Sequence, residues 1–594
     1  MTPARPSGSG RSGIGGRRVK GWFLGDVSDF RKRGRWLLTG CVVAALILAV
    51  RLTDVQLRQG PQLAAMAAAQ RQGLVVLPAT RGKILDHLGR VLVSNRPVYA
   101  VFADPGLIPD EERERIAAAL SPVLSLGPGR VEQLLQTPST RFVYIAHGVS
   151  EEVKNRLTDL ELPGIGTLPE EQRVYEPSPL PNSTFAANLL GFVDHDGHGQ
   201  YGVEGYYDEL LRGADGVEST VRDLAGNSIV VSRERRKDPR NGSDLHLGMD
   251  SRIQYWAEQA LAKGVAYAEA ESGQLLMMDT ATGAIRAWAD FPTYDANHYP
   301  TAKLANFRDL SVGGLYEPGS TMKVITFAGG LDQQAITPNY AFNEGPVTID
   351  GFTIEDFDRK PHGIVTMRQV LEKSLNDGAI KVMQLMGEGN FYRTMVNFGV
   401  GARTGVDLSG ESARALPPPS KLARSEYATA SFGQGIVTTP VALLAAINAV
   451  GNGGVWVQPH AVEEVTDPNT GTTKPVVPSS RRVMSAEAAA TLKDMMTGVV
   501  DDKDGSGFLA RIPAFKNEIA GKTGTASEPT NGHYSGDIVA SFVGFMPASH
   551  PEFTMLIVLR SPHENKVDRE GAYLAAPVWK DVAQIIVDQW RITP

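Results

Sequence analysis

The chain has 594 residues, 42% of them hydrophobic and 21% charged, with 62 glycines, 37 prolines and one cysteine. So apolar a composition excludes a disordered chain, and one cysteine excludes an intrachain disulfide or a cysteine-rich zinc site. The net charge of −7 is uneven: residues 1–35 carry nine basic side chains against Asp26 and Asp29, which leaves −14 for the rest, and so acidic a body argues against nucleic acid as a partner.

The Gly- and Ser-rich start, within residues 1–35, reads as a disordered basic tail. From Trp36 to Val50 the sequence WLLTGCVVAALILAV has no charge. As a helix this run spans only ~22 Å of the ~30 Å hydrocarbon core. Alone it fits either a retained anchor or the apolar part of a cleaved signal. The flanks favour an anchor over 36–55: Arg35 and Arg51 can snorkel, Arg51 can pair with Asp54, and the small-residue cleavage candidates at Ala65 to Ala69 lie too far downstream. The basic excess places the tail in the cytoplasm and everything beyond about residue 55 outside. Cys41 falls inside the apolar run, which removes it as a nucleophile.

Residues 56–245 read as an elongated mixed module with few catalytic side chains. Leu74 to Leu77 and Val98 to Phe102 look like strands, separated by turn-rich joints at Thr80-Arg81-Gly82 and Asn95-Arg96-Pro97, and the proline-rich stretch 160–181 is expected to be irregular. From residue 246 the character changes. Asp250 can cap a helix from Ser251 to about Ala268, followed by a hairpin of Gln274 to Asp279 and Ile285 to Ala289. The far end mirrors this, with a hairpin of Ser541 to Phe545 and Phe553 to Leu559 and a helix over Val578 to Trp590. One antiparallel sheet made from both ends of a domain over 246–594, with helices on its faces, is the arrangement implied. The interior, about 305–515, would be a helical second lobe.

Three short segments carry chemistry. In Glu317-Pro318-Gly319-Ser320-Thr321-Met322-Lys323, Pro and Gly break the chain just before a helical apolar pattern. That places Ser320 near a helix N-terminus, where free amides favour developing negative charge, and Lys323 one turn on, on the same face. An ordinary lysine, with a pKa of ~10.4, is no base at neutral pH; burial beside another cation would make it one. Ser374-Leu375-Asn376 lies between two helical runs, and Lys522-Thr523-Gly524-Thr525 suits the edge of a sheet. Each alone is common as a cap or a turn.

In this order, within one domain, the three segments resemble the constellation of penicillin-binding proteins and active-site serine β-lactamases. The resemblance runs from about residue 36 to 590 and takes in Arg81-Gly82-Lys83-Ile84-Leu85-Asp86 and Tyr201-Gly202-Val203-Glu204-Gly205. It is to class B, the monofunctional transpeptidases, since nothing in 56–245 resembles a glycosyltransferase. Asn376, the Tyr316-Glu317-Pro318 approach and the length resemble the cell-division type more than the elongation type. The implied fold is α+β: a penicillin-binding, serine β-lactamase-like domain preceded by a pedestal and one transmembrane helix. The implied roles are Ser320 as nucleophile, Lys323 as base, Ser374 as proton relay supported by Lys522, and Asn376 on the substrate amide. The resemblance also implies an oxyanion hole from the Ser320 and Thr525 amides, with Thr523, Gly524 and Thr525 lining the subsite for the substrate carboxylate.

Neither cofactor nor metal is expected; His195 and His198 lack a third ligand at usable spacing. Implied partners are peptidoglycan stem peptides on lipid-linked nascent glycan, β-lactams, the membrane, a polytopic glycan polymerase and bitopic division proteins. One departure concerns the Arg81 segment, where His87 and Leu88 follow Asp86 in place of the family's usual Arg and Asn. Three rivals stay open. A β-lactamase would need a second general base, which is not evident. A D,D-carboxypeptidase differs only in acceptor. A β-lactam sensor or division scaffold would need a cytoplasmic output domain that 35 residues do not supply.

Overall fold

The structure is a computed structural model that describes residues 27–63, 72–137, 140, 142–221, 235–530, 533–563 and 570–593. Residues 1–26 of the basic tail lie outside the described residues. The chain divides into two compact units, Met1–Leu77 with Val217–Asp238, and Pro78–Gly216 with Pro239–Pro594.

In the first unit, α1 (Val27–Thr53) continues through a π-helical turn, Asp54–Arg58. The helical stretch Arg33–Arg58 is long and apolar enough to cross a membrane, since its 26 residues span ~39 Å. The helix thus outruns the short uncharged segment on both sides. Arg51 Nη1 and Asp54 Oδ2 pair at 3.1 Å.

The second unit begins with a seven-stranded sheet. Its strands include β1 (Ile84–Leu85), β2 (Val91–Ala103), β3 (Val143–Val149), β4 (Ile165–Tyr175) and β5 (Asp244–Leu247), with the hairpin Val462–Asp467 and Thr472–Pro475 at the far edge. Two expectations fail here. The stretch 160–181 is not irregular, because it holds the 11-residue β4. Among the described residues this strand pairs only with β2, placing Pro169 opposite Tyr99 on an edge, where a missing N–H need not face a partner. Likewise Asn95-Arg96-Pro97 is no joint. β2 runs straight through it, and Pro97 is tolerated because β3 pairs with β2 only from Tyr99 onward.

The two quoted segments of this module meet in one buried ion network. Arg81 donates to Glu204 Oε2 at 2.6 and 2.8 Å and to Asp208 Oδ1 at 2.7 Å; Arg173 Nε donates to Glu204 Oε1 at 2.7 Å. Asp86, fully buried, accepts the Leu88 and Arg90 amides at 2.8 Å each and the Ser251 hydroxyl at 2.6 Å. The departing residue His87 pairs through Nδ1 with Glu463 Oε2 at 3.1 Å.

The catalytic region follows the expected plan. α2 (Ser251–Ala268) is capped by Asp250, which accepts the Arg252 amide, and leads to β6 (Ser272–Asp279) and β7 (Ile285–Phe291). The helical lobe contains α3 (Lys323–Asp332), α4 (Met367–Lys373), α5 (Asn376–Met386), α6 (Pro440–Gly451) and α7 (Ala486–Asp501). The chain then returns as β8 (Ala520–Thr530), β9 (His533–Met546), β10 (Phe553–Arg560) and α8 (Gly571–Trp590). This last helix starts at Gly571, earlier than expected, and takes Pro577 into its interior.

The five strands are ordered β7-β6-β10-β9-β8, with β8 on the edge. Strand periodicity explains why β6 and β10 read as continuous apolar runs. Leu275, Met277, Met555 and Ile557 face one core, shared with Ile253, Leu261 and Trp579 of α2 and α8. Alternate residues Leu276, Met278, Leu556 and Val558 face the other core, with Leu444 and Ile447 of α6. With helices on both faces, the edge strand β8 is left to meet the lobe.

Candidate active site

Pro318 and Gly319 turn the chain into a single 3₁₀ turn, Gly319–Met322, that runs directly into α3. Two glycines allow this turn to lie where it does. At Gly524 of β8, a Cβ would stand 2.3 Å from Ser541 Oγ and 3.0 Å from Thr321 Cγ2, so only glycine lets the turn pack against the strand. Gly433 has φ +85° and accepts the Gly319 amide at 3.1 Å; a Cβ there would stand 2.2 Å from the Gly319 carbonyl oxygen. Ser320 is half-buried, and among the described residues its hydroxyl makes no side-chain hydrogen bond.

Lys323 and Lys522 are both 0% exposed, and among the described residues neither forms a salt bridge. Lys323 Nζ donates to Ser374 O at 2.5 Å, to Asn376 Oδ1 at 2.8 Å and to Ser374 Oγ at 3.3 Å. Lys522 Nζ donates to the same Ser374 Oγ at 2.8 Å and to Thr523 O at 3.1 Å. Ser374 is therefore the junction of two amines. Its left-handed backbone, φ +63°, ends α4 and turns the hydroxyl's loop between α4 and α5.

Burial pulls the Lys323 ammonium down to about 7, against the opposing pull of Asp356 and Asp377. For Lys522, burial and then the Lys323 charge push the value well below the usual lysine range. The sequence reading asked for burial beside another cation to lower Lys323. Burial alone lowers Lys323, and the cation–cation effect is felt at Lys522.

Ser320, Lys323, Ser374, Asn376 and Lys522 thus lie on the 3₁₀ turn, α3, the α4–α5 loop and β8, with every one but Ser320 in a single hydrogen-bonded group. The threonines are already engaged within the protein. Thr523 Oγ1 donates to Ser506 Oγ at 3.1 Å, and Thr525 Oγ1 accepts the Gly571 amide at 3.2 Å. In the pairing with β9, Gly524 stands opposite Ser541 and Thr525 opposite Ala540. The side chains of His533 and Tyr534 lie outside the described residues.

Sequence reasoning missed three positions: Asp356, which accepts the Asn376 amide through Oδ1; Ser506, held by its amide to Glu372 O at 2.9 Å; and Gly433. Each comes from a loop far from the motifs. The Gly433-Gln434-Gly435 spacing, two glycines after a helix, was the one local signal of a close approach.

A family model described as the penicillin-binding protein transpeptidase domain matches residues 273–584. The chain belongs to the penicillin-binding transpeptidases. A second model, for the penicillin-binding protein dimerisation domain, matches residues 76–247, the pairing of domains that marks class B. This class B protein is 29% identical over 567 residues to peptidoglycan D,D-transpeptidase FtsI of Escherichia coli, covering 94% of this chain and 92% of that one. It is 28% identical over 572 residues to stage V sporulation protein D of Bacillus subtilis, covering 95% and 86%. A solved peptidoglycan synthetase from Bifidobacterium adolescentis superposes with a TM-score of 0.69 at 26% identity, over 88% of this chain and 97% of that one. The activity is that of a peptidoglycan D,D-transpeptidase.

Proposed function

We propose that this transpeptidase cross-links stem peptides at the division septum through an acyl-serine intermediate on Ser320. The observation that carries the assignment of roles is the convergence of two unpaired, fully buried lysines on Ser374 Oγ, beside the turn that holds Ser320. Lys323, at about 7, is substantially unprotonated at neutral pH and can accept the Ser320 proton. The Ser320 oxygen then attacks the carbonyl between the two terminal D-alanines. As the C–N bond breaks, the proton held by Lys323 passes through Ser374 Oγ to the leaving amine, and D-alanine departs. An amine of a second stem peptide attacks the ester, the new amide forms, and a proton returns to Ser320. The Ser320 and Thr525 amides would bind the oxyanion. Asn376, now bonded to Lys323, would turn its amide to the substrate backbone, and Thr523, Gly524 and Thr525 would take the carboxylate. Catalytic hydrogen bonds commonly tighten only once substrate is bound, which accounts for a Lys323 that still points at Ser374 and Asn376.

The α1 helix would anchor the chain with residues 1–35 in the cytoplasm and the catalytic domain outside. Residues ~36–245 would contact a polytopic glycan polymerase and bitopic division proteins. The likeness to FtsI supports the division role; the similar likeness to a sporulation protein supports a sporulation-specific role instead.

Purified protein is expected to form a stable covalent adduct with a fluorescent penicillin, and Ser320→Ala to abolish it. A wild-type chain that stays unlabelled would refute the site. A fluorescent fusion enriched at midcell in vegetatively growing cells supports the septal role; a lateral pattern, or expression confined to sporulation, contradicts it.

A further inference from the structure

We propose that Glu344, Asp356 and Asp377 form a binding site for a hard divalent cation, calcium foremost, underneath the loop that presents Asn376. The inference goes beyond the transpeptidase reading. One carboxylate oxygen from each of the three residues lies within 4.8 Å of those of the other two. Main-chain amides hold one oxygen of each: Glu344 Oε2 accepts from His362, Asp356 Oδ1 from Asn376 and Asp377, and Asp377 Oδ2 from Gly345 at 2.8 Å. The remaining oxygens of the two aspartates, Asp356 Oδ2 and Asp377 Oδ1, are buried and receive no hydrogen bond from an amide, amine or hydroxyl among the described residues, while both carboxyl groups lie against that of Glu344. Asp377 is 1% exposed and Asp356 8%. A buried, unpaired carboxylate oxygen is costly unless a proton or a cation joins it, and here two stand in one cluster.

The donor set decides the class of ion. The nearby imidazole, His362, has Nε2 3.3 Å from Asp358 Oδ2 without a hydrogen bond and places no ring nitrogen within the group, so among the described residues the donors are carboxylate oxygens. Oxygen ligands favour calcium, magnesium or manganese over zinc. Calcium holds its ligands at ~2.3–2.6 Å, so oxygens across its shell stand up to ~5 Å apart, and a group whose atoms all lie within 4.8 Å of one another fits such a shell. Magnesium demands near-octahedral geometry and gives up its waters reluctantly, so a cage of protein oxygens suits it less. The bound ion would tie the strand end at Glu344, the loop at Asp356 and the first turn of α5 into one unit.

The test uses the full chain in detergent, stripped with chelator and titrated with calcium, magnesium and zinc by isothermal calorimetry, alongside thermal unfolding. Expected are one calcium per chain with a Kd of ~10⁻⁵ to 10⁻³ M, a raised Tm, and weaker binding of the other two ions. Asp377→Asn and Glu344→Gln, each verified as folded by circular dichroism, are expected to weaken calcium more than about tenfold. No saturable calcium binding, tighter zinc than calcium, or undiminished binding in Glu344→Gln would overturn the proposal. Failure here is distinguishable from failure of the catalytic reading. Ser320→Ala should lose penicillin labelling and bind calcium unchanged, whereas wild type that labels but binds no calcium refutes the cation site alone.

Discussion

The dimerisation domain and the catalytic cleft both bury two cations, and they treat them oppositely. Arg81 and Arg173 are each paired with carboxylate, Glu204 being shared between them and Asp208 meeting Arg81 as well. Burial works to lower the Arg81 value, but Glu204 and Asp208 outweigh it and the guanidinium is held more firmly charged. Lys323 and Lys522 are buried more completely and meet hydroxyl, amide and carbonyl oxygens in place of direct carboxylate partners. Paired burial fixes a charge and serves structure; unpaired burial makes the charge negotiable and serves proton transfer. The choice of residue type follows, since guanidinium cannot be neutralised in water and an amine can.

Breaking this contrast gives predictions of decreasing size. Lys323→Arg keeps a cation in the cleft that cannot lose its proton, so acylation by a fluorescent penicillin is expected to fall about 10²–10⁴-fold, measured by stopped-flow labelling. Arg81→Met leaves Glu204 buried with one cation fewer and should cost ~3–5 kcal/mol in denaturant unfolding, without shifting the pH dependence of labelling in the molecules that remain folded. Lys323→Met should act in the reverse sense on stability and raise Tm at neutral pH by a smaller amount. The sign follows from linkage. Folded Lys323 titrates at about 7 and an unfolded lysine at ~10.4, so unfolding takes up a proton between these values and wild-type stability rises with pH across that window. The gain from methionine is therefore greatest below about pH 7 and shrinks toward pH 10. A destabilised Lys323→Met protein at pH 6 would place Lys323 among the paired cations instead.

Most of the catalytic arrangement was legible in the sequence because its motifs are local. Ser320 and Lys323 share one turn, Ser374 and Asn376 one loop, and Lys522 to Thr525 one strand, so local pattern places each segment on its element, and the resemblance to penicillin-binding proteins is what joined the three into one site. The two hairpins at opposite ends of the domain, Ser272 to Phe291 and His533 to Arg560, were legible as a sheet for the same reason. What escaped depends on tertiary approach. Glu344, Asp356 and Asp377 come from three separate elements, and Ser506 reaches Thr523 from the far end of α7. The Arg81 and Glu204 segments were each visible, but only the fold shows that they hold each other. Pro97 and Pro169 misled because proline breaks strands on average, whereas each stands on a side of a strand that has no neighbour.

The most direct test of the account is the pH profile of acylation of Ser320. With Lys323 as base, the second-order rate constant for penicillin labelling should rise about tenfold per pH unit below the lysine value, reach half its maximum near pH 7, and level off above it. A rate that keeps climbing to pH 10 would mean that Lys323 is an ordinary lysine. A rate indifferent to pH between 5 and 9 would mean that it is not the base.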